Sequence, residues 1–260
     1  MKIIIDDESK TVKIGYIEYG EEFYNIFKKT NESEWNNLIT SFIGIQTSTG
    51  REDYQRFFNL HKGDTILDCG AHIGINTRDF AKIVGPTGTV IVMEPDYRAL
   101  GANISNSFNF KNIIYLPIGA WYINEIIPMG LCVEKFLGRS HLGDYQKHDT
   151  SATPIRVMRV DDLLEQLKIP KVNFIKMDIE AAEVMALKGM ENTLKECDGF
   201  GIACYHVLFD KKGDRIRTRN LIEPYLRELL PDCDIKVWMG IDGEILSGCN
   251  NKDRLKEEKK

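Results

Sequence analysis

The sequence lacks the cysteine patterns that build disulfide frameworks or zinc sites. Its 260 residues include six cysteines, but no two form a C-x-x-C pair and none cluster with the spacing of metal ligands. We therefore expect reduced thiols and a cytoplasmic protein. A chain of this length buries roughly 70% or more of its unfolded surface, so it needs neither disulfides nor a metal in order to fold.

Long apolar runs and an excess of basic residues are also absent. The first ten residues, MKIIIDDESK, hold one short apolar run before an acidic pair, which is too little for a secretory signal. No stretch approaches the roughly 20 apolar residues that span a bilayer. The formal net charge is −5, which argues against a broad nucleic-acid surface. We expect neither a membrane nor a nucleic-acid partner, and the sequence indicates no oligomeric state.

What the sequence does contain, from residue 63 onward, is an alternation of strand-like and helix-like segments. Strands are predicted over residues 65–69, 89–93, 113–116, 172–177 and 200–205. Helical spacing appears over residues 76–84, 97–106, 160–167, 181–194 and 219–230. Two late runs, 234–239 and 243–246, predict a terminal hairpin. This order predicts an α/β fold with a doubly wound, mostly parallel sheet and a C-terminal antiparallel hairpin.

The other segments divide the chain into three predicted parts. Residues 1–50 form an N-terminal extension, residues 51–250 form the main domain, and residues 251–260 form a charged, frayed tail. A short helix over residues 52–60 is expected to pack on the domain. The weakly periodic segment 121–153 is interpreted as an insertion over the strand ends.

The strongest local motif is GDTILDCGAHIG, residues 63–74, in which an apolar run ends in Asp68 and a glycine-containing loop follows. Gly70 lets the backbone turn tightly near a ligand, and Gly74 lets the next helix pack closely. The second strand is followed by Glu94, which is placed to accept hydrogen bonds from the hydroxyls of a ribose. These features together predict a nucleoside-binding α/β domain.

The details of the loop discriminate between nucleosides. A dinucleotide site needs G-x-G-x-x-G to hold a pyrophosphate, whereas here Ala71 and His72 follow Gly70. Asp68 would repel a pyrophosphate, but it suits a ligand whose nearby end carries an ammonium group. S-adenosylmethionine has that ammonium, a ribose and no phosphate. The loop therefore favours S-adenosylmethionine over a nicotinamide dinucleotide.

The second motif is VNFIKMDIEAAEVMALKGM, residues 172–190, where a buried-type strand runs into Asp178 and Glu180. The period of two places both carboxylates on the same side, at the sheet edge where open α/β folds bind ligands. Either carboxylate could instead cap the following helix. A third strand brings His206 toward the same crevice, although a histidine at a strand end is often structural. We predict catalytic roles for Asp178, Glu180 and His206.

These residues resemble the FkbM-type S-adenosylmethionine-dependent methyltransferases. The resemblance covers about residues 52–206 and rests on residues 63–74, VIVMEPD at 90–96, FIKMDIEAAE at 174–183 and LKG at 187–189. The family's second block reads K-x-D-x-E-G-A-E, and this chain has Ala181 at the glycine position. Lys176, Asp178, Glu180 and Glu183 match the block.

The resemblance implies a Rossmann-like class I methyltransferase that uses S-adenosylmethionine. It places the methionine end of the cofactor at Asp68, Gly70, Ala71 and Gly74, the ribose at Glu94, and the reacting methyl group near Asp178. The implied reaction is methylation of a hydroxyl on a small molecule or sugar, with a nitrogen acceptor left open. The proton of the acceptor would pass to His206 or Asp178.

Four alternatives remain beside this interpretation. A methyltransferase that holds Mg²⁺ through Asp178, Glu180 and His206 has a sparse oxygen ligand set, so we predict no metal. An NAD-dependent oxidoreductase lacks its fingerprint. The other two are a non-catalytic adenosyl-binding module and a methyltransferase that acts on RNA, and the acidic net charge argues against the latter.

Overall fold

A computed structural model describes residues 3–14, 17–19, 21–34, 54–131, 141–142, 151–209, 212–240 and 243–256. The strands are β1 (Ile3–Asp6), β2 (Thr11–Ile14), β3 (Ile17–Tyr19), β4 (Thr65–Cys69), β5 (Thr89–Met93), β6 (Ile113–Leu116), β7 (Ile118–Ala120), β8 (Glu125–Leu131), β9 (His141–Leu142), β10 (Ser151–Met158), β11 (Phe174–Met177), β12 (Gly199–Ala203), β13 (Val207–Phe209), β14 (Arg215–Arg217), β15 (Asp234–Met239) and β16 (Glu244–Cys249). The α-helices are α1 (Glu21–Lys29), α2 (Ile75–Val84), α3 (Tyr97–Ser107), α4 (Val160–Gln166), α5 (Glu183–Lys188), α6 (Glu191–Glu196) and α7 (Arg219–Leu229).

The central sheet has seven strands in the order β15-β16-β12-β11-β4-β5-β6. The five strands from β12 to β6 are parallel, while β16 pairs antiparallel with both β12 and β15. The strand order reverses between β4 and β11, which is the switch point where such sheets bind ligands. The predicted doubly wound sheet with its C-terminal hairpin is confirmed, with strand ends displaced by a few residues at β11, β12 and β16.

Successive residues of the central strands face two different helical layers. On β4, Ile66 packs in a core that includes Phe80 of α2 and Leu100 of α3. The next residue, Leu67, packs in a core that includes Leu163 of α4 and residues of α5, α6 and α7. Because both faces of the strands are buried, their sequences are nearly continuous apolar runs rather than alternating ones.

Two smaller sheets lie outside this central unit. The predicted insertion forms, in its described part, a sheet of order β7-β10-β8-β9, with a small core of Met129, Ile155 and Val157 onto which Trp121 packs. Its residues 132–140 and 143–150 lie outside the described ranges. The described part of the N-terminal extension is the antiparallel sheet β1-β2-β3 followed by α1.

The predicted single helix over residues 181–194 is wrong, because the chain forms α5 and α6 with a break at Gly189. A Cβ at Gly189 would overlap the carbonyl oxygen of Trp121, so the chain here passes close to the backbone that follows β7. The new helix is capped by Asp161, whose carboxylate accepts the backbone N–H groups of Asn192 at 3.2 Å and Thr193 at 2.9 Å. Asp161 therefore stabilises the start of α6 rather than that of its own helix.

The two predictions for the ends of the main domain also change. In the described part of the predicted 52–60 helix, Tyr54 is helical and residues 55–57 form a turn. Phe58 stacks on Phe174 with ring centroids 5.1 Å apart. Phe58 also forms an isolated β-bridge with Leu255, and Arg254 pairs with Asp64. Residues 251–256 are thus packed against the domain rather than frayed. Residues 51–53 and 257–260 lie outside the described ranges, and the domain boundaries stay a prediction.

Replacing Gly70 with alanine is expected to destabilise the fold by roughly 2–5 kcal/mol. Gly70 has a φ of 71°, and a Cβ there would overlap the carbonyl oxygen of Asp178. Urea-induced unfolding followed by circular dichroism measures the loss. The control is Gly101→Ala in α3, where an added Cβ meets no atom within 4 Å and alanine favours the helix by about 1 kcal/mol. Wild-type stability of Gly70→Ala would contradict the close approach of the two strand ends.

Candidate active site

A buried ion pair joins β4 and β11 at the switch point. Asp68 and Lys176 face each other across the two strands, and Lys176 Nζ lies 3.2 Å from Asp68 Oδ1 with both side chains almost fully buried. Thr77 donates a hydrogen bond to the other carboxylate oxygen at 2.7 Å. Burial alone would lower the pKa of Lys176, but the negative charges of Asp68 and Asp178 raise it above its ordinary value. The amine is therefore charged.

This arrangement bears on the predicted role of Asp68. The sequence predicted an ammonium partner for this carboxylate, and the structure supplies one from the chain itself. Lys176 also donates a hydrogen bond to the carbonyl oxygen of Gly70 at 2.6 Å. Asp68 thus fixes the loop from inside through Lys176, while its direct contact with a cofactor stays a prediction.

The loop after β4 is held by its own backbone. The Gly70 N–H donates to the Met93 carbonyl at 2.9 Å, and the Gly74 N–H donates to the Ala71 carbonyl at 3.0 Å. A Cβ on Gly74 would overlap the side-chain amide of Asn103, so this glycine allows α3 to approach the loop. The predicted cofactor residues Gly70, Ala71 and Gly74 therefore lie in one tight turn at the sheet edge.

Glu94 follows β5 and lies beside this turn. Its carboxylate is 7% exposed and accepts backbone N–H groups from His72 and Asp96, each at 2.9 Å. Burial raises the pKa of Glu94 to about 7, although the two hydrogen bonds act in the opposite direction. Since each oxygen accepts only one N–H group here, acceptor capacity remains for the hydroxyls of a ribose.

As predicted, His206 lies close to Asp178 and Glu180. Glu183, which was not predicted to be part of the site, also contacts His206. The Nε2 atom of His206 lies 3.5 Å from Asp178 Oδ1 and 3.7 Å from Glu180 Oε2. Its Nδ1 atom lies 3.0 Å from Glu183 Oε1. We call these four residues the acidic cluster. Three carboxylates around one imidazole give it a net negative charge even when the imidazole is protonated.

The protonation of His206 follows from these neighbours. Burial alone would lower the pKa of the imidazole, but the hydrogen bond and charge of Glu183, with the charges of Asp178 and Glu180, raise it to about 9. His206 is therefore mainly protonated at neutral pH, and a protonated imidazole donates hydrogen bonds but accepts none. The imidazole is therefore not a free proton acceptor at neutral pH.

Sequence reasoning missed two residues of this site. Tyr54 donates a hydrogen bond from its hydroxyl to Asp178 Oδ2 at 2.7 Å, and its ring lies 5.4 Å from Lys176 Nζ. Nothing in the sequence around Tyr54 separates it from an ordinary core aromatic. Glu183 is fully buried and accepts a hydrogen bond from the Ile179 N–H at 2.9 Å. Its match to the K-x-D-x-E-G-A-E block of the family was the sequence signal that could have identified it.

The comparisons with known proteins point to one family. The model of the methyltransferase FkbM domain matches residues 68–218, more than half of the chain. The solved methyltransferase FkbM from Methylobacillus flagellatus KT is similar to this chain, with 20% identity and a TM-score of 0.51. The match covers 73% of this chain and 44% of that protein, so the chain spans less than half of its length. At this identity the likeness shows the fold alone.

Two further solved structures are more distantly similar. Fibrillarin from Aeropyrum pernix, solved with natively bound S-adenosyl-L-methionine, is 12% identical, with a TM-score of 0.43 and coverage of 72% and 67% of the two chains. An rRNA methylase from Streptococcus thermophilus is 11% identical, with a TM-score of 0.42 and coverage of 74% and 90%. No curated protein matches the chain. Within the described ranges, no helix combines the length and apolarity needed to cross a membrane.

Substituting Glu94 by glutamine is expected to change how stability depends on pH. Because the pKa of Glu94 rises from 4.5 to about 7 on folding, its contribution is fully present below pH 4.5 and is lost as the pH rises through 7. A rise of this size corresponds to about 3 kcal/mol. Glutamine does not titrate, so Glu94→Gln should gain stability relative to wild type between pH 5 and pH 8 in urea unfolding. A difference that stays constant with pH would contradict the burial of the carboxylate.

Ala181→Gly is expected to stabilise the protein by about 1 kcal/mol. Ala181 has a φ of 75°, in the left-handed region where an L side chain is strained and glycine is not. A rise of roughly 2–4 °C in Tm is the expected readout. The neighbouring control, Ala182→Gly, changes a residue with a right-handed φ of −78°, and should lose about 1 kcal/mol. Equal losses in both variants would show that Ala181 carries no strain.

Proposed function

The chain belongs to the FkbM methyltransferase family, and we propose that it transfers a methyl group from S-adenosylmethionine to a hydroxyl of a small molecule or sugar. The observation that carries the proposal is one hydrogen bond, from the His72 N–H to Glu94 at 2.9 Å. It joins the glycine turn after β4 to the acid after β5, and both lie at the sheet edge that also carries the acidic cluster. A nucleoside site and a set of proton acceptors thus share one crevice.

The residues present fit this cofactor. The side chains of Ala71 and Ile73 in the turn from Gly70 to Gly74 are buried in the core, and Glu94 keeps acceptor capacity for a ribose. S-adenosylmethionine is positively charged at its sulfonium, and the negative acidic cluster favours a cation nearby. When bound, it supplies an electrophilic methyl group, which the acceptor oxygen takes as its proton leaves and the sulfonium becomes a thioether.

The protein contributes positioning and proton removal. Asp178 is fixed by Tyr54 at one carboxylate oxygen, and its other oxygen, Oδ1, makes no hydrogen bond within the described residues. Asp178 or Glu180 accepts the proton of the acceptor hydroxyl, because the raised pKa of His206 keeps that residue protonated at neutral pH. His206 then holds the carboxylates in place by its positive charge. Most of the rate enhancement comes from alignment of donor and acceptor.

A small hydroxylated acceptor is favoured over RNA by the charge of the molecule. The chain carries a formal net charge of −5, and the cluster that faces the acceptor is itself acidic. A polyanion such as RNA would be repelled both by the net charge of the chain and by the acidic cluster. We also propose a cytoplasmic location, which is supported by the free thiols of Cys69, Cys197, Cys204, Cys233 and Cys249.

The cofactor is tested by calorimetric titration with S-adenosylmethionine, S-adenosylhomocysteine and NAD. Wild type should bind the two adenosyl ligands and not NAD. At pH 8, where Glu94 is mainly ionised, Glu94→Gln should weaken their binding roughly 10- to 100-fold, because hydrogen bonds to a charged acceptor contribute about 1.5–3 kcal/mol. The control is Glu191→Gln, which changes a carboxylate that accepts a hydrogen bond from the Tyr225 hydroxyl at 2.6 Å; it should bind like wild type.

Methyl transfer itself is measured as release of S-adenosylhomocysteine with a panel of hydroxylated small molecules and sugars. Binding of NAD in place of the adenosyl ligands would overturn the cofactor assignment. Tight adenosyl binding without turnover on any hydroxyl, amine or RNA acceptor would favour a non-catalytic binding module. Turnover on an amine or on RNA alone would overturn the proposed acceptor class.

A further inference from the structure

The acidic cluster has the composition of a metal site as well as that of a proton acceptor. Asp178, Glu183 and His206 each offer one ligand atom, and these three atoms lie within 4.8 Å of one another. Bond lengths near 2.1 Å place two ligands of one ion at most about 4.2 Å apart, so the three atoms need to move together by less than about 1 Å when an ion binds. The three residues come from two neighbouring parallel strands, since Asp178 and Glu183 follow β11 and His206 follows β12.

A second observation is independent of this spacing. Glu183 is fully buried, yet its Oε2 atom makes no hydrogen bond within the described residues. The Asp178 Oδ1 atom is likewise buried without such a bond, and its contact with His206 Nε2 is long, at 3.5 Å. A buried polar atom left unpaired costs about 1–3 kcal/mol, and one ion bound by both carboxylates would give each of these oxygens a partner.

We infer that Asp178, Glu183 and His206 bind one divalent first-row transition-metal ion. Two carboxylate oxygens and one imidazole nitrogen form a mixed ligand set, in which the nitrogen favours Mn²⁺, Fe²⁺ or Zn²⁺ over Mg²⁺. When the ion binds, the proton between His206 and Glu183 is displaced. The hydrogen bond from the Ile179 N–H to Glu183 at 2.9 Å orients that ligand.

The ion would face the crevice through its remaining coordination positions. Asp178 and Glu180 are the more exposed members of the cluster, with side-chain exposures of 24% and 35%. A hydroxyl bound to the ion has a lowered pKa, and Glu180 then receives its proton. This catalytic role rests on the proposed function, whereas binding of the ion does not.

The site is tested with Mn²⁺, because electron paramagnetic resonance measures the concentration of the unbound ion directly. Protein treated with chelator and then desalted is titrated with Mn²⁺ in the absence of any cofactor. Wild type should bind one ion per chain, and Glu183→Gln and His206→Asn should each weaken binding about tenfold or more. The matched control is Glu191→Gln, since Glu191 is the first residue of α6 as Glu183 is of α5; it should keep the wild-type affinity.

A measurement on wild type alone guards against variants that fail to fold. Pulsed electron paramagnetic resonance should detect one imidazole nitrogen bound to the Mn²⁺ ion, from His206. No Mn²⁺ binding by wild type, binding without a nitrogen ligand, or equal binding by all the variants would overturn the proposal. Titration with S-adenosylmethionine in the presence of chelator measures cofactor binding without the ion. It therefore distinguishes a failure of the metal site from a failure of the proposed function.

Discussion

The buried ion pair between Lys176 and Asp68 joins the two strands between which the order of the sheet reverses. The amine of Lys176 contacts three groups: the carboxylate of Asp68, the carbonyl of Gly70 and the ring of Tyr54. Through these contacts the glycine turn after β4, the end of β11 and the segment before β4 are fixed relative to one another. A lone charge at this depth would cost several kcal/mol, so each partner requires the other.

Much of this fold could be predicted because its signals are local. The strands β4 and β5 were predicted with their observed ends, since strands buried on both faces leave unbroken apolar runs. The carboxyl ends of parallel strands meet at one edge of a sheet. This is why Asp178 and Glu180, which follow β11, and His206, which follows β12, could be placed together from sequence alone. Glu94 was placed by the same reasoning.

The remaining features depend on contacts between distant parts of the chain. The break at Gly189 is caused by the carbonyl of Trp121, and the cap of α6 comes from Asp161 on another helix. Neither partner is visible in the sequence around the break. Asp68 illustrates the same limit: its need for an ammonium partner was clear from the sequence, but that the partner is Lys176 depends on the register of two strands. Tyr54 had no signal of its own.

The hydrogen bond between Tyr54 and Asp178 spans 124 positions of the chain. Contacts of such separation form only after the intervening loop has closed, and they contribute to a high contact order and slow folding. The pairing of Asp68 with Lys176 in β4 and β11 closes a loop of similar length, so the sheet and this hydrogen bond have similar closure costs. Asp178 is thus held both by the strand that it follows and by a residue that precedes the central sheet, so a change in the docking of Tyr54 would alter the orientation of the carboxylate without unpairing a strand.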